Sequence, residues 1–192
     1  MDERNWLVGE RVRLTAVSPD DVSVIARWYE DVRFGRLADA TPATPKTAEQ
    51  LRKWVTQANE SPNNFLFGIR LIDTNTMIGF VELDGILWTH GVTSLGIGLG
   101  DEENWGQGYG REAMILALQF AFRELNLHRV QLTVFAYNTR ATRLYESLGF
   151  VREGVLREFL LRDGKRFDMY QYGMLYSEWV RQPYATLSDG TD

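Results

Sequence analysis

The sequence has no cysteine and only two histidines, His90 and His128, which lie far apart and form no HxxxH or HxH spacing. Without thiols there can be no disulfide staple, no thiolate nucleophile and no zinc–thiolate site. Two isolated imidazoles do not make a ligand set, so no metal is expected. No apolar run approaches the roughly 20 residues that span a bilayer, and the first ten residues, MDERNWLVGE, are charged rather than signal-like. The expectation is a cytoplasmic protein with no membrane partner. Positive charge is not in excess either: 21 Lys and Arg face 26 Asp and Glu, a formal net charge of −5. Phosphate backbones are bound by clustered cations, so no nucleic acid partner is expected. A mildly acidic surface instead suits a cationic substrate such as an amine. There is no internal repeat, low-complexity tract or linker. The 192 residues therefore read as one domain, 1–181, large enough for a buried core, followed by a polar tail over 182–192.

The hydrophobic pattern alternates between two periods. Val12 and Leu14 alternate with Arg11, Arg13 and Thr15, which predicts a half-buried strand over 10–17. Ser18-Pro19-Asp20-Asp21 then opens a helix that runs to about Tyr29, with Ser18 as cap and Pro19 in the first turn. Residues 38–45 look like a loop. Thr47-Ala48-Glu49-Gln50 is a capping-box pattern starting a second helix that runs to about Ala58. Strands are expected over 65–72 and 77–83, joined by the Asp73–Thr76 turn, and over about 94–100. Met114, Ala117, Leu118, Ala121 and Leu125 share a helical face over 111–125. A strand over 129–135 follows, then a short helix capped by Asn138 or Thr139 and stopped by Gly149. Two last strands, about 150–161 and 166–176, meet at Arg162-Asp163-Gly164-Lys165, where Asp-Gly marks a hairpin. The order is strand, two helices, three strands, helix, strand, helix, two strands, which is a mixed α/β sheet with helices on its faces.

The segment Trp105-Gly106-Gln107-Gly108-Tyr109-Gly110-Arg111 joins a predicted strand to a predicted helix. Glycines at alternate positions let the backbone approach a ligand with N–H groups unpaired, and the positive end of the next helix dipole lies beside them. Together these features make a nest for a diphosphate. A tight strand–helix turn would have the same composition. A P-loop is excluded because no Gly-Lys-Ser or Gly-Lys-Thr occurs. A dinucleotide fold is excluded because the spacing is GxGxG, past mid-chain, with Glu124 inside the helix.

Residues 105–110 resemble motif A of the GCN5-related N-acetyltransferases (GNAT), written [QR]xxGx[GA]. Gly108 and Gly110 match its small residues, and Trp105 stands where Gln or Arg is usual. Residues 138–150, NTRATRLYESLGF, resemble the family's NxxAxxLYexlGF segment. Ile78–Leu83 and Arg162–Lys165 resemble the branch of ribosomal-protein N-terminal and spermidine acetyltransferases. The resemblance spans roughly residues 8–177. It implies a mostly antiparallel seven-stranded sheet with about four helices and splayed central strands, acetyl-coenzyme A as acyl donor, and an amine acceptor. Relatives are often dimers, so it also implies a homodimer.

The resemblance also assigns roles. The loop residues Trp105, Gly106, Gln107, Gly108, Tyr109, Gly110 and Arg111 would hold the pyrophosphate. Ile97, Gly98 and Leu99 would pair with the pantetheine arm, and the Leu99 N–H would polarise the thioester carbonyl. Asn138 would bond the cofactor as well as cap a helix. Tyr145 would contact the donor and act as general acid; by composition alone it could equally be a packing aromatic. Many relatives carry a glutamate where this chain has Ser94. The first candidate base is therefore Glu82 and the second Asp84, although a strand carboxylate can also be merely solvated or salt-bridged. Trp28, Tyr29 and Trp88, with Glu82 and Asp84, are the candidate acceptor-binding residues, an aromatic cage being able to hold a cation. A non-catalytic acetyl-CoA sensor is the alternative from a different class.

Overall fold

In the computed structural model, which describes residues 5–185, the alternation at the start gives strand β1 (Val12–Ala16), with Val12 and Leu14 buried. A single 3-10 turn at Pro19–Asp21 leads into helix α1 (Val22–Glu30). The Asp21 carboxylate accepts hydrogen bonds from the Ser18 N–H at 2.8 Å and the Ser18 hydroxyl at 3.0 Å, and pairs with Arg70. Helix α2 (Val32–Ala38) follows after one extended residue, Asp31, whose side chain accepts from the Arg33 N–H at 2.8 Å. Helix α3 (Ala48–Glu60) carries the predicted capping box, Thr47 with Gln50.

The remaining elements are β2 (Phe65–Leu71), β3 (Met77–Leu87), β4 (Val92–Leu99), α4 (Tyr109–Gln119), β5 (Arg129–Phe135), α5 (Thr139–Ser147), β6 (Val151–Arg162), β7 (Lys165–Leu175) and the single turn α6 (Tyr176–Trp179). The sheet order is β1-β2-β3-β4-β5-β7-β6. Every neighbouring pair is antiparallel except β4 and β5, which run parallel.

Among the described residues the seven strands and the chain order match expectation, and the helices are six rather than about four. The two additions are short. Neither α2, a seven-residue segment with Gly35 inside it, nor the four-residue α6 is long enough to show a period, and both are stabilised by packing rather than propensity. Phe34 and Trp179 are the buried anchors. β3 runs to Leu87, beyond the expected Leu83. The helix expected over 111–125 begins at Tyr109 and widens into a π-type turn over Phe120–Glu124. The expected polar tail is at first packed: the Tyr184 hydroxyl donates to the Leu148 carbonyl, and Gln119 donates to the Tyr184 carbonyl at 3.4 Å. Residues 186–192 of that tail lie outside the described residues.

Two cores flank the sheet. On one face α4 (Ala113, Met114, Ala117, Leu118) and α5 (Tyr145, Leu148) pack on Val81, Leu83, Leu95, Val130 and Leu132. On the other, α1 (Val22, Ile25, Trp28), α2 (Phe34) and α3 (Leu51, Val55, Ala58) pack on Leu66, Met77 and Phe80. What positions the site is the break between β4 and β5. They pair only at Val92–Arg129, Thr93–Val130 and Ser94–Gln131, then separate.

Candidate active site

The separation frees one edge of β4. The Gly100 N–H donates to the Ile78 carbonyl at 2.9 Å. Along an antiparallel strand the bonding direction alternates, so the backbone groups of Leu95, Ile97 and Leu99 point away from β3 and into the gap. Burying these groups without partners would be costly, and a ligand amide can satisfy them. The Leu99 carbonyl is already taken by the Trp105 indole N–H at 2.9 Å. That bond holds the glycine loop against the end of the strand.

The loop itself is braced from outside. Gly106 and Gly108 have φ of 74° and 86°, a left-handed region that glycine enters without steric cost. Arg11 Nη1 donates to the Gln107 carbonyl at 2.9 Å, and the Glu112 carboxylate accepts from the Arg11 and Val12 N–H groups at 2.8 and 3.1 Å. Carbonyl and carboxylate oxygens are thereby turned to the β1 side. Among the described residues, none accepts a hydrogen bond from the N–H groups of residues 106–111. Gly108 caps α4 with no side-chain bond, so orphan amides and the helix dipole converge on one spot, the ready-made condition for an anion. The neighbouring acids are held elsewhere: Asp101 by Arg27 (2.9 Å) and the Trp28 indole (3.3 Å), Glu102 by Arg33 (2.7 Å).

Between β4, β5, the loop and α5 lies a cleft of about 500 Å³, within the range of small-ligand sites. It is lined by Ile97, Gly98, Leu99, Trp105, Gly106, Gly108, Gly110, Arg111, Asn138 and Tyr145. Gln107 and Tyr109 do not line it: the former faces Arg11, and the latter's ring lies 5.2 Å beneath the Arg11 guanidinium. The Asn138 side-chain oxygen caps α5 by accepting from the Ala141 N–H at 3.2 Å. Tyr145 is buried, its ring near Phe150 and Tyr172, and no group among the described residues bonds its hydroxyl. Burial pushes that phenol up to about 12.

Several lining residues were not foreseen from the sequence. Phe34, Leu37 and Ala38 come from α2, and Thr133 and Phe135 from the free end of β5. Arg140 and Arg143 lie on α5, with the Arg140 guanidinium 4.6 Å over the Trp105 ring. Their spacing of three on a capped helix was the available signal, since such residues share a face.

A second cavity of about 540 Å³ opens on the opposite face of the sheet, lined by Glu82, Asp84 and Ser94 from β3 and β4 and by Arg129, Glu153 and Gln171 from the far half. Ala38, Leu95, Gly96 and Thr133 line both cavities, so the two meet through the gap between β4 and β5. Glu82 is half-buried. Desolvation raises its pKa, and the Asp84 charge adds to this against hydrogen bonds from Asn64 and Trp54. The Asn64 amide bridges the two carboxylates, at 2.7 Å to Glu82 and 3.2 Å to Asp84. Burial pushes the Tyr29 phenol up to about 12, helped by Asp39 and Glu82. Glu82 and Asp84 are thus neighbours, whereas Tyr29, close enough to Glu82 to feel its charge, lines neither cavity. The other two expected acceptor residues are not with them. Trp28 is 2% exposed, packed where a Cβ on Gly100 would fall 2.0 Å from its ring. Trp88 lies exposed on the β3–β4 turn, its indole donating to Asn63 at 2.8 Å, and lines neither cavity. Trp28 completes the core, and Trp88 precedes the end of β4 that is paired with β5.

Among the described residues, no cluster of metal-ligating side chains occurs, and no helix is long and apolar enough to cross a membrane. Residues 11–151 match the family model described as an acetyltransferase (GNAT) domain. The uncharacterized N-acetyltransferase p20 of Bacillus licheniformis is 27% identical over 175 residues, covering 91% of this chain and 98% of the relative. The [ribosomal protein uS5]-alanine N-acetyltransferase of Escherichia coli is 23% identical over 181 residues, 91% of this chain and 92% of its own. Spermidine N-acetyltransferase from Vibrio cholerae, solved in complex with CoA and spermine, superposes with a TM-score of 0.80 at 25% identity, covering 88% of this chain and 98% of that one.

Proposed function

This chain belongs to the GNAT acetyltransferases, acetyl-CoA-dependent acyltransferases, and from that premise we propose that it transfers the acetyl group to a primary amine by direct attack within a ternary complex. The observation that carries the reading is the meeting of the two cavities. The cleft with the orphan amides of 106–111 suits the diphosphate of acetyl-CoA, and the free edge of β4 suits its pantetheine amides. The chamber with Glu82 and Asp84 suits a cation approaching from the other face.

The residues divide the work as follows. The amides of 106–111, with Arg111, hold the diphosphate. The Leu99 N–H polarises the thioester carbonyl, a donor of this kind contributing ~3 kcal/mol to lowering the barrier. Glu82 takes a proton from the acceptor, directly or through water. As the amine nitrogen bonds to the carbonyl carbon and the carbon–sulfur bond breaks, the Tyr145 hydroxyl supports the departing thiolate, which takes a proton from solvent and ends as the thiol of CoA. Asp84 lies directly across from Ser94 in the β3–β4 register. A carboxylate is therefore present beside the position where many relatives carry glutamate.

Two carboxylates bridged by Asn64 favour an acceptor with more than one positive charge, a small polyamine, over the single charge of a protein N-terminus. The Vibrio cholerae structure supports the first class and the Escherichia coli relative the second. The same reading takes the protein to be cytoplasmic and paired with a second copy. β6 is an edge strand carrying exposed Val151, Val155, Phe159 and Leu161, and pairing would cover such an edge.

The test is release of CoA from acetyl-CoA across polyamines, amino acids, aminoglycosides and alanine-headed peptides, with the best acceptor then followed against pH. A base must be unprotonated, so activity is lost as pH falls through the raised pKa of Glu82. Glu82→Gln is expected to lower kcat/KM by about 10²-fold and to remove that acid limb. No turnover with any amine despite tight acetyl-CoA binding would favour a sensor, and an undiminished Glu82→Gln would sink the acceptor-face assignment.

A further inference from the structure

The Arg162–Lys165 hairpin tip plays no part in the chemistry above. It is a tight turn, with Asp163 and Gly164 at φ of 49° and 73°, and two of its side chains, Arg162 and Asp163, reach back to α2 and the residues that follow it. Asp163 receives a bidentate pair from Arg36 on α2, at 2.7 and 2.9 Å. Arg162 Nη2 donates to the carbonyls of Asp39, Ala40 and Thr41 at 3.0, 3.3 and 3.1 Å, the segment leaving α2. The Tyr137 hydroxyl, just past β5, donates to the Arg36 carbonyl. Beneath the tip a separate apolar cluster centred on Phe135, Leu160 and Met169 holds the hairpin up. Three groups from the β5–β7 half thus grip one short stretch, residues 36–41.

That stretch belongs to the other half of the molecule, because Phe34 is buried in the α1–α3 core with Phe80 and Trp28. Its Ala38 lines both cavities. The gap between β4 and β5 is closed at one end by strand pairing at residues 92–94. At the other end, on the α1–α3 face, α2 lies over the diverging strands with the hairpin tip clasping it. A seven-residue helix has little stability of its own, so its position depends on what holds it. The Arg36–Asp163 pair is too exposed, at 37% and 72% of the two side chains, to matter much for global folding. What it can fix is the local placement of the wall it touches.

We infer that Arg36, Arg162 and Asp163 are positioning residues that set the opening through which the acceptor reaches the gap, clasping α2 across the two halves of the sheet. The inference rests on the reading of the Glu82 side as the acceptor side. It gives the turn a role in acceptor selection; α2 also walls the donor cleft through Phe34 and Leu37, but the diphosphate is assigned to the amides of 106–111, which the clasp does not touch.

The experiment is steady-state kinetics of Asp163→Asn, Arg36→Gln and the double variant, with spermidine and an alanine-headed peptide as acceptors, alongside calorimetric binding of acetyl-CoA. Asparagine tolerates the positive φ of the turn, so the hairpin of Asp163→Asn is preserved. Each single variant is expected to raise the acceptor KM about three- to fivefold, the scale of one partly exposed ion pair. The double should be no worse than either single, because the two side chains share one interaction, and acetyl-CoA affinity should stay within about twofold of the parent. An unchanged acceptor KM, equal losses for both substrates, or an additive double would each overturn the clasp. Glu82 is intact in all three, so failure here is distinct from failure of the acceptor-face reading, which Glu82→Gln reports.

Discussion

At the scale of single residues, Tyr145 shows how burial limits what a side chain can do. With its phenol pushed up to about 12, it stays protonated at any working pH. Full proton transfer to a thiolate whose conjugate acid titrates near 8.5 would be uphill. In the reaction proposed above, its contribution is a hydrogen bond to sulfur as charge develops, with solvent completing the protonation. Tyr145→Phe is therefore expected to lower kcat by roughly 10²-fold and to leave acetyl-CoA affinity unchanged, measured by single-turnover kinetics and calorimetry; an unaltered kcat would make it a packing residue only. Residue identity was most legible where a short motif demands it, as at Asn138, which caps α5 and lines the cleft. It was least legible for the tryptophans. Trp28 and Trp88 are equally aromatic on paper, yet one fills the space left by Gly100 and the other sits on an exposed turn. Composition does not separate these fates, because the deciding contacts come from residues about 70 positions and 25 positions away.

At the scale of elements, the loop and α4 form one device. The turn needs left-handed backbone at Gly106 and Gly108, and Arg11 fills the space beside Gly108, where a Cβ would lie 2.8 Å from its Nη2. An L-residue there costs about 1–2 kcal/mol and displaces the brace on the Gln107 carbonyl. Gly108→Ala is expected to weaken acetyl-CoA binding by about tenfold or more, read by titration calorimetry; equal affinity would mean that the loop is only a connection. This device was visible in the sequence, since glycine spacing and a following helix are local features. The long periodic elements were visible for the same reason, β5 to the residue. α2 was not, although it walls the cleft. Its existence depends on Phe34 reaching Phe80 and on the hairpin tip reaching Arg36, contacts invisible to a window of neighbouring residues.

At the scale of the whole molecule, one irregularity organises everything else. A sheet that paired fully between β4 and β5 would satisfy its backbone and leave no passage. Pairing over three residues and then parting creates two cavities that share a wall on each side. The seven strands and their succession along the chain could be read from alternation and turns. The parting itself came only through resemblance, because nothing in the residues of β4 or β5 taken singly says where pairing stops. What occupies the freed backbone decides whether the parting serves an acyl donor. The most direct test is a crystal structure of the protein with acetyl-CoA. The diphosphate is predicted to accept hydrogen bonds from the amides of residues 106–111, with the thioester carbonyl at the Leu99 N–H and the acetyl group facing Thr133 and Glu82. A diphosphate bound elsewhere, with those amides unengaged, would contradict it.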